Sequence, residues 1–123
     1  MQTFKFNPTG GPITVTLSYN GLIFLSYEYK LYQVASSTTV LSDSGQLVTP
    51  GINSFSFTLP NPLIDNDGRL LEFDVDYYGS TAGLPYTITI SVSQSGTPTV
   101  YVLNDTTTGN EQGLTNFTQI EKI

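Results

Sequence analysis

The chain has 123 residues, a formal charge of -6 and no Cys, His or Trp. A length of this order is that of one domain with one core, and the missing residue types exclude disulfides, thiolate or imidazole metal sites, and the Ser-His and Cys-His nucleophilic pairs. Only Lys5, Lys30, Arg69 and Lys122 could neutralise phosphates, so nucleic acid and anionic membranes are not expected partners, and no apolar run has the length of a membrane span.

The N-terminal stretch Met1-Gln2-Thr3-Phe4-Lys5 lacks the apolar core of a secretory signal. Residues 3–6 read as a short strand, which Asn7-Pro8-Thr9-Gly10-Gly11-Pro12 interrupts with successive turn formers. Ile13, Val15, Leu17 and Tyr19 then alternate with Thr14, Thr16 and Ser18, the pattern of a strand with one face on a core and the other in water. Asn20-Gly21 suits a type I′ turn, so a hairpin is predicted there with residues 22–34 as its second arm. In that arm Ile23, Leu25, Tyr27, Tyr29 and Leu31 share the inward face, and Phe24, Ser26, Glu28, Lys30 and Tyr32 the outward one. A weaker strand at 38–41, a turn at Asp43-Ser44-Gly45 and a short edge at 46–48 follow.

Phe55, Phe57 and Leu59 mark the next strand, which Pro60-Asn61-Pro62 ends because proline has no donor. After a connection at 63–68, residues 69–78 turn Leu71, Phe73, Val75 and Tyr77 inward and Glu72, Asp74 and Asp76 outward. Tyr86, Ile88, Ile90 and Val92 repeat the pattern, and Ser95-Gly96-Thr97-Pro98 turns the chain into a strand at 99–103. Residues 104–113 hold no apolar side chain and read as a mobile loop, before a terminal strand carrying Leu114, Phe117, Ile120 and Ile123. About eight strands, each apolar on one face, have to stack as two sheets or close into a barrel. The prediction is an all-β antiparallel sandwich of jelly-roll or Ig-like Greek-key type, a single domain over residues 1–123, with sheet-to-sheet crossovers at 63–68 and 79–85.

Little in this chain points to catalysis, and an enzyme is not expected. The stripe Glu72, Asp74, Asp76 could in principle supply an acid and a base, but an outward acidic stripe is the ordinary way to keep a sheet face wet. Asp65-Asn66-Asp67-Gly68 is the most suggestive loop: Asp65, Asp67 and Asp105 are candidate Ca2+ ligands of a lectin-like sandwich, although the same residues build ordinary turns and no cofactor is required. Tyr32, Tyr78 and Tyr101 fall on the outward face or at strand ends, where an aromatic plate can stack on a sugar; Asn66, Asp76 and Tyr78 are the candidate ligand-binding residues. Asn104 and Asn116 head Asn-X-Thr sequons of the number expected by chance in so Thr-rich a chain. The uncharged strands 14–18 and 87–93 lack edge-protecting lysines and could accept a strand from another copy. The functional expectation is therefore a soluble, non-enzymatic binding module for an extracellular glycan or polymer, the alternative being a self-assembling structural subunit of a surface fibre, shell or appendage.

Overall fold

Alternation of apolar and polar residues gives most of this chain two-faced strands, which bury their apolar faces by stacking as two sheets. The computed structural model describes residues 1–96 and 98–123. Its strands are β1 Gln2–Phe6, β2 Thr14–Gly21, β3 Phe24–Tyr32, β4 Thr39–Leu47, β5 Gly51–Thr58, β6 Leu70–Tyr78, β7 Pro85–Ser93, β8 Thr99–Thr106 and β9 Glu111–Lys122. Sheet A runs β1-β9-β6-β3-β4 and sheet B runs β5-β2-β7-β8, packed as a β-sandwich. All pairs are antiparallel except β1, which lies parallel to β9. β3–β4 and β7–β8 are hairpins, and the other connections cross between the sheets; Thr97, in the predicted turn between β7 and β8, lies outside the described residues.

The predicted hairpin at Asn20-Gly21 is not formed. β2 is an inner strand of sheet B, laddered to β5 and β7, while β3 belongs to sheet A. Gly21 serves another need: its φ is +143°, and a Cβ there would stand 2.7 Å from Tyr86 Cβ, so only glycine lets the chain pass Tyr86 on its way to the other sheet. The predicted turn at Asp43-Ser44-Gly45 is likewise absent, because β4 runs unbroken through it against β3. Gly45 is there for close approach, since a Cβ would sit 2.5 Å from the Tyr27 hydroxyl oxygen. Residues 104–113 are mostly strand, from the end of β8 to the start of β9. Between these strands Thr107 is buried, its N–H donating to Leu84 O at 2.8 Å and its Oγ1 accepting from Leu84 N at 3.0 Å. The connection at 63–68 contains a short 3-10 helix, Leu63–Asn66.

One cluster of buried side chains fills the space between the sheets, and it contains the predicted inward faces of β2, β3, β6 and β7. An aromatic ladder closes one side: Tyr27 stacks on Phe55 at 4.6 Å and Tyr29 on Phe57 at 3.9 Å between ring centres. This places β3 over β5 and leaves β4, the extra strand of sheet A, projecting beyond it. Toward the other end, the Tyr77 and Tyr86 hydroxyls share a buried hydrogen bond of 2.7 Å. Burial, reinforced by that bond, holds the Tyr86 hydroxyl well above the usual tyrosine range.

The strands predicted to accept a second copy, 14–18 and 87–93, lie inside sheet B with both sides occupied. The edges are β1, β4, β5 and β8. On three of them a side chain caps the next backbone N–H, each at 2.8 Å: Asp43 to Ser44, Asn53 to Ser54 and Asp105 to Thr106. Such caps remove a donor that a foreign strand would need. Of the chain's charged residues, Asp105 alone lies on a strand of sheet B.

Candidate functional site

The outer face of sheet A is built from residues that strand register sets side by side. Phe24 of β3 lies opposite Tyr78 of β6, Ser26 opposite Asp76, Glu28 opposite Asp74 and Lys30 opposite Glu72. On the other flank, Gln46 and Ser44 of β4 lie opposite Ser26 and Glu28. Small side chains in the middle of these rows leave a trough between larger ones. One part, about 200 Å3, is lined by Phe24, Gln46, Val48, Asp76, Tyr78 and Glu111 among others. The adjoining part, about 430 Å3, continues over Ser26, Glu28, Ser44, Gln46, Asp74 and Asp76. Phe24 and Tyr78 are 42% and 40% exposed, so two aromatic rings stand half out of the protein at one end of the trough.

Its carboxylates differ in what holds them. Glu28 pairs with Lys30 at 3.3 Å, Asp74 accepts from Thr115 Oγ1 at 2.8 Å, and Glu72 accepts from the Tyr32 hydroxyl at 2.8 Å. Asp76 and Glu111 have neither a side-chain hydrogen bond nor an ion pair among the described residues. A hydrogen bond shared with Asp74, and then partial burial, push the Glu72 carboxyl above the usual range. A group raised in the folded state contributes stability that is complete below its unfolded pKa and is lost as pH rises through the folded value. Glu72→Gln should therefore melt like the parent at about pH 4 and be the more stable of the two at neutral pH, by a small margin because the site is partly solvated. A parent that proved the more stable of the two at neutral pH would contradict this.

Of the predicted ligand-binding residues, Asp76 and Tyr78 come together in the trough. Asn66 does not. It is fully buried in the 3-10 helix, with Nδ2 donating to Pro60 O at 2.9 Å and Oδ1 accepting from Arg69 Nη1 at 3.0 Å. Both ends of its amide are taken up within the protein, and none of the residue is exposed to a ligand in solution. The three candidate calcium ligands are not assembled either. Asp65 and Asp67 flank Asn66 where β6 begins, next to Ile120, whereas Asp105 pairs with Tyr86 near the end of β6. The nine residues of β6 put about 30 Å between those regions by strand rise. Asp67 Oδ1 also accepts from Lys122 N at 2.9 Å, and among the described residues no three Asp, Glu, His or Cys side chains form a metal-sized cluster. Calcium is accordingly expected to leave the melting temperature unchanged relative to EDTA; an upward shift with calcium would show binding to the folded state.

Tyr32 is engaged by Glu72, and Tyr101 faces the core in register with Ile90 rather than lying outward. Asn104 accepts from Thr87 Oγ1 at 2.6 Å, and Asn116 is buried on the inner side of β9. Phe24, Gln46, Val48 and Glu111 are trough residues that the sequence reading did not single out. Parity already placed Phe24 outward, but its partnership with Tyr78 depends on β3 pairing with β6, which the expected Asn20-Gly21 hairpin obscured. No helix among the described residues is long and apolar enough to cross a membrane. Compared with known families, curated proteins and solved structures, the chain has no match, and its site has to be read from its own chemistry.

Proposed function

We propose that this protein is a non-enzymatic binding module that holds a glycan polymer across the outer face of sheet A. The observation that carries the reading is the cross-strand pair Phe24 and Tyr78, half exposed at the head of an open trough lined with amide, hydroxyl and carboxylate groups. A sugar ring presents an apolar C–H face to such rings and hydroxyls to Gln46, Ser26 and Asp76, the division of labour that aromatic side chains with polar neighbours support. The trough runs along β6 from Tyr78 to Asp74, about 13 Å by strand rise, and stays open at its end, which favours a chain over a single small molecule. Calorimetric titration against a panel of oligosaccharides tests this. Tyr78→Ala should weaken any binding about tenfold or more, the loss expected for an aromatic anchor. A blank panel, or a Tyr78→Ala protein that binds as the parent does, would overturn the reading.

Self-assembly through sheet edges is the second reading, and one observation favours it. β5 is an edge strand with no charged side chain, and its Ile52 is 80% exposed. Light scattering over a concentration series separates the two: growth in mass with concentration supports assembly, and a constant monomer mass removes it.

A further inference from the structure

We infer that the ligand of the sheet A trough is a cationic glycan, a polymer bearing free amines such as a glucosamine polymer, an inference that rests on reading the trough as a glycan site. Its ionisable lining is wholly acidic: Asp76 and Glu111 in one part, Glu28, Asp74 and Asp76 in the other. Lys30 and Thr115 already engage Glu28 and Asp74. Asp76 and Glu111 are left with only solvent among the described residues, and they lie beside the two half-exposed rings.

This combination suits an ammonium group on a stackable ring. Aromatic faces attract a cation as well as an apolar sugar face, and a carboxylate beside them adds a charge-assisted hydrogen bond. A neutral glycan would cover two carboxylates and return only hydroxyl contacts, so part of its contact energy would be lost to desolvation. A uronic acid polymer would meet repulsion, since Lys30, the cation beside the trough, is already paired with Glu28. Of the protein's own cations, Lys30 is already paired with Glu28, and the other three stand elsewhere: Arg69 precedes β6, Lys122 lies beside Asp67, and Lys5 is in register with Glu121, all at the end of the sheet remote from Tyr78. An amine on the ligand supplies the missing counter-charge.

The test is calorimetric titration with glucosamine, N-acetylglucosamine and glucose oligomers of equal length, at about pH 5.5 and low salt, where carboxylates are ionised and the amine is protonated. The glucosamine oligomer should bind about tenfold more tightly than either neutral one, and Asp76→Asn should shrink that preference to about twofold. Asp43→Asn, on the core side of β4 opposite Tyr29, is the control for diffuse attraction and should leave the preference in place. Equal or better binding of a neutral oligomer would overturn the cationic preference and leave the trough standing as a glycan site. Binding of none would overturn both readings. Equal losses in Asp76→Asn and Asp43→Asn would assign the effect to net charge and overturn the inference. Thermal melts of both variants establish that they are folded.

Discussion

Replacing Asn66 by Leu should lower stability by about 2–4 kcal/mol, because it puts an apolar side chain in a fully enclosed polar site and takes the partner from a half-buried carbonyl and a half-buried guanidinium. Asn66 is the only residue of the loop Asp65-Asn66-Asp67-Gly68 that is wholly enclosed, and both ends of its amide are used: Pro60 O accepts from Nδ2 and Arg69 Nη1 donates to Oδ1. Leu keeps the branched shape but carries bulkier methyl ends, so the loss reports the two hydrogen bonds together with some overpacking at this enclosed site. Urea unfolding measures it as a lower midpoint at unchanged slope. Asn66 lies far along β6 from the trough, so glycan titration of the folded variant should match the parent. A midpoint within error of the parent would show that the amide is dispensable.

Phe73→Ala should be costlier still, about 3–5 kcal/mol, the usual range for emptying an aromatic site in a core. Phe73 is 1% exposed, with its ring centre 5.7 Å from Tyr29 and 6.1 Å from Phe57, so it joins β6 of one sheet to the aromatic ladder between β3 and β5. Removing it opens a cavity between sheets whose backbones are held by their ladders and cannot close in. Small domains are stable by only about 5–15 kcal/mol, so the variant should lose a large share of its stability and melt well below the parent. Phe117→Ala is the matched comparison. Phe117 is 36% exposed, and the same change should cost under about 1 kcal/mol. Similar midpoints for the two variants would mean that burial does not govern the effect.

Inward faces were legible wherever each strand has one apolar side and one polar side. Ile13 to Tyr19, Ile23 to Leu31, Leu71 to Tyr77 and Tyr86 to Val92 all point into the core as period two requires. β9 hid its face because two of its core-side positions are polar. Asn116 and Thr118 are buried while Phe117 faces out, so the apolar residues recur every third position and mimic no regular element. Pairing was less legible than facing. Asn20-Gly21 has the composition of a hairpin turn, yet what required glycine was the passage close to Tyr86, a residue 65 positions away in the chain. The candidate site inherited that limit. Asp76 and Tyr78 could be found from exposure along one strand, whereas Phe24, Gln46 and Glu111 join them only through register with strands distant in sequence. Residue type marks Asn66 as a ligand candidate, but it does not reveal that the amide is already committed to the Pro60 carbonyl and the Arg69 guanidinium.

The confinement of charge to one sheet and its connections bears on how the molecule travels. With sheet B almost free of ionised groups, Lys5, Arg69 and Lys122 all at one end of sheet A, and Asp76 and Glu111 at the Tyr78 end, the field around the protein is lopsided, weak behind sheet B and negative in front of the trough. A body with such a field rotates as it diffuses toward a cationic surface, so that its acidic side leads. At low ionic strength encounters with a polyamine matrix would be sorted by orientation before any contact formed. Added salt would randomise them, slowing capture more than it speeds release.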